Sequence, residues 1–131
     1  MIVGFAKIAA PLLILALAGC EEEKVVVKEK HTYKGDIKVL NSCGIQGAAL
    51  EMRKFLRKNG FDVVYVENDQ LQNYEETLVV LRNPKWEGGS ALAEKLHTKN
   101  VLTIINKNSY EDAAVFIGKD YKNLIEQENE Q

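Results

Sequence analysis

The alternation of apolar and polar positions divides the chain into a leader, a charged stretch and a folded domain. Ile8 to Gly19 is an apolar and small-residue run interrupted only by Pro11, and Lys7 is the single charge before Cys20. Residues 20–35 are dominated by charge except at Val25-Val26-Val27. From residue 36 onward two periods appear. Residues 36–41 alternate, placing Ile37, Val39 and Asn41 on one face, which predicts a first strand. Ile45, Ala48, Ala49, Met52, Phe55 and Leu56 then recur at helical spacing, with Glu51, Arg53, Lys54, Arg57 and Lys58 on the remaining surface. That helix starts near residues 45–47 and stops at Asn59-Gly60, where glycine suits a left-handed cap.

Residues 61–67 are rich in β-forming side chains, and a polar loop follows at 68–76. Residues 77–82 are nearly all apolar, which predicts an interior strand ended by Asn83-Pro84-Lys85. Gly88-Gly89-Ser90 opens a short second helix with Leu92, Ala93 and Leu96 as its stripe. Strands are predicted at 101–105 and 112–117, and a short helix at 121–127. The order is β-α-β-β-α-β-β. Helical crossovers joining the first and second strands, and the third and fourth, put both helices on one face of a four- to five-stranded sheet. The fold expected is therefore an α/β, or α+β, two-layer sandwich over residues 36–124, with a tether at 20–35 and a polar tail at 125–131.

The leader changes this picture most. Its apolar run is too short to span a bilayer, which takes about 20 residues, and matches the core of a signal peptide. Leu17-Ala18-Gly19-Cys20 resembles the lipobox of bacterial lipoproteins. The resemblance implies cleavage of residues 1–19 and a diacylglyceryl group on the Cys20 thiol; the alternatives are an uncleaved anchor or a soluble-type signal with a chance cysteine. Two acyl chains hold a membrane stably where one does not. The tether after it reaches about 50 Å when extended. The aspartate that resembles an inner-membrane retention signal is absent after Cys20. Glu21-Glu22-Glu23 stands there instead, as a solvated spacer or a surface-export signal. The expected location is the extracytoplasmic side of a bacterial envelope membrane, with inner and outer membrane both open.

Composition excludes several classes. Seventeen Lys+Arg against nineteen Asp+Glu give a net charge of −2, which is not the charge of a nucleic-acid binder. Two cysteines cannot build a disulfide scaffold or a four-cysteine zinc site. No His/Cys/Asp/Glu set has metal-ligand spacing, so neither a metal nor another cofactor is expected.

Four blocks carry a family resemblance. Val39-Leu40-Asn41-Ser42-Cys43-Gly44-Ile45-Gln46-Gly47-Ala48-Ala49 is similar to V-L-N-G-[TS]-G-x-x-G-x-A. Asn59-Gly60-Phe61-Asp62-Val63-Val64 follows as G-[FY]-x-V, and Asn73-Tyr74-Glu75-Glu76-Thr77 with Val79 and Val80 as D-Y-x-x-T-x-V. Val115-Phe116-Ile117-Gly118-Lys119-Asp120-Tyr121 closes as V-x-[LI]-G-x-D-[FY]. In this order, over about residues 36–122, they resemble the LytR C-terminal domain. That domain often follows a LytR-CpsA-Psr phosphotransferase domain, for which this chain has no room, so the transferase activity is not carried over. A lipidated envelope protein does not meet DNA, so a transcriptional role is not carried over either. The resemblance implies an accessory or binding role in envelope assembly. Ser42 and Cys43 depart from the pattern, and Ser42 would strain the loop if a positive φ were needed there.

The candidate ligand-binding residues are Asn41, Ser42, Gly44 and Gly47 in the strand-to-helix loop, with Arg53 and Arg57 behind them. Backbone N–H groups at such a loop attract anions, and glycines allow close approach. The competing reading is a tight turn that Asn41 closes by bonding its own backbone. Arg53, Lys54, Arg57 and Lys58 could meet anionic glycopolymer or headgroups, or simply complement the helix dipole. Cys43 offers a nucleophile at a helix start, but His31 and His97 show no spacing that supplies a base. Trp86 and Tyr74 either stack on sugar rings or lid the core. The chain therefore reads as a non-enzymatic envelope lipoprotein. Its expected partners are the membrane through the lipid, then peptidoglycan, anionic glycopolymer or an envelope protein. The alternatives are a small envelope enzyme using Cys43 and a structural assembly partner with no glycan affinity.

Overall fold

The computed structural model describes residues 31–127. These form β1 (Tyr33–Asn41), α1 (Ala48–Lys58), β2 (Phe61–Asn68), β3 (Leu78–Leu81), α2 (Gly88–Lys95), β4 (Val101–Thr103), β5 (Ala113–Ile117) and α3 (Tyr121–Glu126). The strands make one mixed sheet in the order β2-β1-β5-β3-β4. β1 runs parallel to β2 and β5, β3 runs parallel to β4, and β3 is antiparallel to β5. The two parallel pairs joined through helices are the two crossovers expected, since parallel neighbours need a long connection.

Strand alternation decides which side chains meet the helices. Ile37, Val39, Val63, Val79, Val115 and Ile117 lie in one buried cluster with Met52, Phe55 and Leu56 of α1 and with Leu92 and Leu96 at α2. Both helices thus share one core with one face of the sheet. The opposite face carries the half-buried Lys38, Leu40, Leu78 and Phe116, with Tyr74 stacked on Phe116 at a centroid distance of 6.1 Å. α1 buries Ala48, Ala49, Met52, Phe55 and Leu56, the stripe read from its spacing, while Ile45 stays 39% exposed ahead of it. Gly60 takes φ 91° after Asn59, as the stop signal required.

The boundaries differ from the sequence reading at several points. β1 begins at Tyr33, inside the stretch read as tether. Tyr33 stacks on Phe61 at 4.7 Å, and its N–H donates to the Gly60 carbonyl at 2.9 Å. The Trp86 indole donates to the Lys34 carbonyl. A charged stretch carrying one aromatic gives no sign that a partner 28 positions on will recruit it. β4 is only three residues long, and Ile104 and Ile105 beyond it are exposed. The β1–β2 register shifts between Ile37, opposite Val63, and Lys38, opposite Tyr65. That irregularity leaves Val64 40% exposed and turns Val66, rather than Tyr65, toward the core. α3 packs on α1 and buries Tyr121 and Leu124.

Candidate functional site

The strand-to-helix loop leaves the carboxyl end of β1, beside the carboxyl end of β5, where Asn41 pairs with Ile117. Asn41 is buried, and both ends of its amide are engaged. Oδ1 accepts from the Cys43 and Gly44 N–H groups at 3.3 and 3.1 Å and from the Cys43 thiol at 3.4 Å, while Nδ2 donates to the Ile45 carbonyl at 2.8 Å. This is the locally bonded turn. Ser42 is buried too. Its hydroxyl donates to Asp69 at 2.7 Å, and its carbonyl accepts from Tyr74 N–H at 2.8 Å. His97 is the non-glycine residue with positive φ among the described residues, so Ser42 carries no strain for standing where the family has glycine. The left-handed positions are Gly44, φ 75°, and Gly47, φ 86°. Gly47 stands at the head of α1, gives it no side-chain cap, and faces open space.

The basic residues do not converge on this loop. Arg53 is half-buried midway along α1. Arg57 sits in the last turn and donates from Nη2 to the Val63 carbonyl at 2.9 Å. Ten residues of helix put it about 15 Å from Gly47. One small ligand does not touch both. Arg57 instead borders a concavity of about 590 Å³ with Tyr33, Gly35 and Asp62, at the opposite end of the sheet.

Beside the loop lies a bonded set that went unassigned in the sequence. Thr77, fully buried, donates from its N–H and its hydroxyl to Asp120 Oδ1 at 2.9 and 2.7 Å, and its hydroxyl accepts from Gly118 N–H at 3.0 Å. Lys119 and Asp120 N–H groups donate to the Tyr74 and Glu75 carbonyls. A side chain on Gly118 would collide with the Glu76–Thr77 backbone. The third and fourth blocks are therefore one bonded unit, and Tyr74 ties it to the first block through Ser42. Thr77 and Asp120 appear in the quoted blocks. The signal was two polar residues closing apolar strands that the topology makes neighbours.

Electrostatics at this end are mild. The exposed Lys119 ammonium is held above its ordinary value by its 2.9 Å bond to Glu75. Burial, and then the nearby Glu51 carboxylate, push the Tyr121 hydroxyl up. Cys43 is 4% exposed. Trp86 lies in the core, and Tyr74 covers Phe116. Among the described residues no group of three His, Cys, Asp or Glu could hold a metal ion, and no helix is long and apolar enough to cross a membrane. The proposed lipidation site, Cys20, lies outside the described residues.

The first, third and fourth blocks thus meet at one sheet end, while the second forms the α1–β2 turn at the other. Comparison with known proteins treats them as a unit: the family described as LytR cell envelope-related transcriptional attenuator matches residues 36–121, from within β1 to the start of α3. No curated protein and no solved structure matches the chain. With the match covering well over half of the sequence and nearly all of the folded core, the chain belongs to the LytR cell envelope-related family and carries its C-terminal domain.

Proposed function

We propose that this chain is a lipid-anchored envelope protein whose domain is a non-catalytic binding or accessory module in cell-wall assembly. The observation that carries the proposal is the adjacency of two signals: a family domain of the cell envelope and, a short charged tether before it, a lipobox ending in Cys20. The geometry favours binding over chemistry. Cys43, the thiol at the helix start, is buried and donates its hydrogen to an amide oxygen rather than to a base. The Asn41–Gly47 loop closes on its own hydrogen bonds and leaves Gly47 open, with Arg53 half-buried further along α1.

Two experiments test this. Palmitate fed to expressing cells should label the protein, and Cys20→Ala should abolish the label and release the chain from membranes. A chain starting at residue 21 should co-sediment with purified sacculi, more strongly when glycopolymer is attached. Loss of retention in Arg53→Ala, with the melting temperature unchanged, would place the contact on α1. No retention on either preparation would sink direct wall binding in favour of a protein partner.

A further inference from the structure

A second surface carries a recognition chemistry that the family blocks do not include. At the end of the sheet where the chain enters β1, the loops after β3 and β4 enclose a groove of about 440 Å³. That volume lies within the roughly 300–1,000 Å³ range of ligand sites. Its walls are held firmly. Asp112 Oδ2 accepts from Asp36 N–H and its Oδ1 from the Asn83 amide, both at 2.9 Å, and the Asp112 carbonyl accepts from the N–H groups of Arg82 and Asn83. Asn106 closes the far loop by bonding the Asn108 and Ser109 N–H groups.

The lining is amphipathic and positively biased. Tyr110 is 64% exposed, with Tyr65 behind it at 5.1 Å, and Ile105 is 60% exposed. Asp112 is consumed by the bonds just named, and Glu111 lies 3.9 Å from Arg82 Nε. Lys85 and Lys107 are exposed and have no hydrogen-bond or ion-pair partner for their ammonium groups among the described residues. Arg82 Nε is buried without a hydrogen bond. An exposed aromatic ring offers a face for stacking, amides beside it suit hydroxyls, and unpaired ammonium groups suit an oxyanion.

We propose that this groove binds a phosphate-bearing sugar or polyol, its ring or chain lying against Tyr110 and its phosphate held between Lys85 and Lys107. The proposal deepens the binding-module reading and rests on it. The two are separable because the groove lies at the end of the sheet away from the Asn41–Gly47 loop. The full chain in neutral detergent would be titrated with glucose phosphate, inorganic phosphate and glucose while backbone amides are followed by NMR. Saturable shifts confined to residues 82–86 and 104–112 are expected, strongest for glucose phosphate. Lys85→Ala and Lys107→Ala should each weaken binding about tenfold, the scale of one lost charge-assisted bond. Tyr110→Ala should lower the preference for glucose phosphate over inorganic phosphate. These side chains are exposed, so an unchanged melting temperature verifies that each variant folds. A glycerol phosphate polymer, and separately micelles doped with phosphatidylglycerol, then distinguish a glycopolymer source from a headgroup source; a groove response to either supports the site. Shifts that map to the Asn41–Gly47 loop, no saturable shift, or wild-type affinity in all three variants overturns it. Sacculus retention without any saturable groove shift would leave the wall-binding reading intact and sink the groove. Groove shifts without sacculus retention would do the reverse.

Discussion

Thr77 and Asp120 illustrate how much one side-chain pair can hold. A single carboxylate oxygen accepts from a buried N–H and a buried hydroxyl 43 positions away. Asp120→Ala would leave both donors without an acceptor, and a buried unsatisfied group costs about 1–3 kcal/mol. Urea unfolding of Asp120→Ala should show a loss of that order or somewhat more, while Lys119→Ala next to it, whose ion pair is exposed, should change little. Cys43 gives a second expectation at this scale. Its burial predicts that a maleimide reagent labels it in urea but not in the native protein, and Cys43→Ser should leave sacculus binding unchanged. Native labelling would reopen the enzyme alternative. Asn41 was legible as a turn-forming residue because its partners lie within four positions. Thr77 and Asp120 were not, because their bond exists only after β3 and β5 have paired.

At the scale of elements, the glycines separate two kinds of constraint. Gly47 has positive φ and free space around it, so Gly47→Ala should cost only the left-handed backbone penalty, about 1–2 kcal/mol. Gly118 has no positive φ, but a Cβ there meets the backbone of Glu76 and Thr77. Gly118→Ala should therefore lower the melting temperature more than Gly47→Ala, and calorimetry of the pair checks the order. The helical stripe of α1 was readable because its period is local and its buried set is complete within one element. The β1–β2 irregularity was not. Residues 61–67 satisfy a regular strand equally well, and only the register against β1 decides that Val66 turns inward. The early start of β1 has the same origin: Tyr33 joins the strand because Phe61 offers a ring to stack on.

The whole molecule has a pH response with a definite sign. Burial raises the Tyr121 hydroxyl above its ordinary value of 10.0, so the unfolded chain loses this proton first as pH rises. The folded state binds more protons in that window. Stability is therefore unaffected by this group below about pH 10 and falls above it. Tyr121→Phe should flatten that alkaline decline in urea midpoints measured across the window, provided its own loss at neutral pH is subtracted.

The two sheet ends divide the molecule's surface. One end is closed by three of the family blocks bonding to one another, and the other bears the groove with its unpaired lysines. Apolar periodicity by itself determined the element order, the two helical crossovers and the core face of α1, because burial of a stripe or an alternate row is a local demand that every folded chain must meet. Motif order identified the envelope family, and a short-range rule placed the turn at Asn41. Only the tertiary structure decided that Thr77 and Asp120 join two of the blocks, and that Lys85, Lys107 and Tyr110 line one groove. Each of those depends on which strands become neighbours, and β5 inserts between β1 and β3 through contacts that no local pattern encodes.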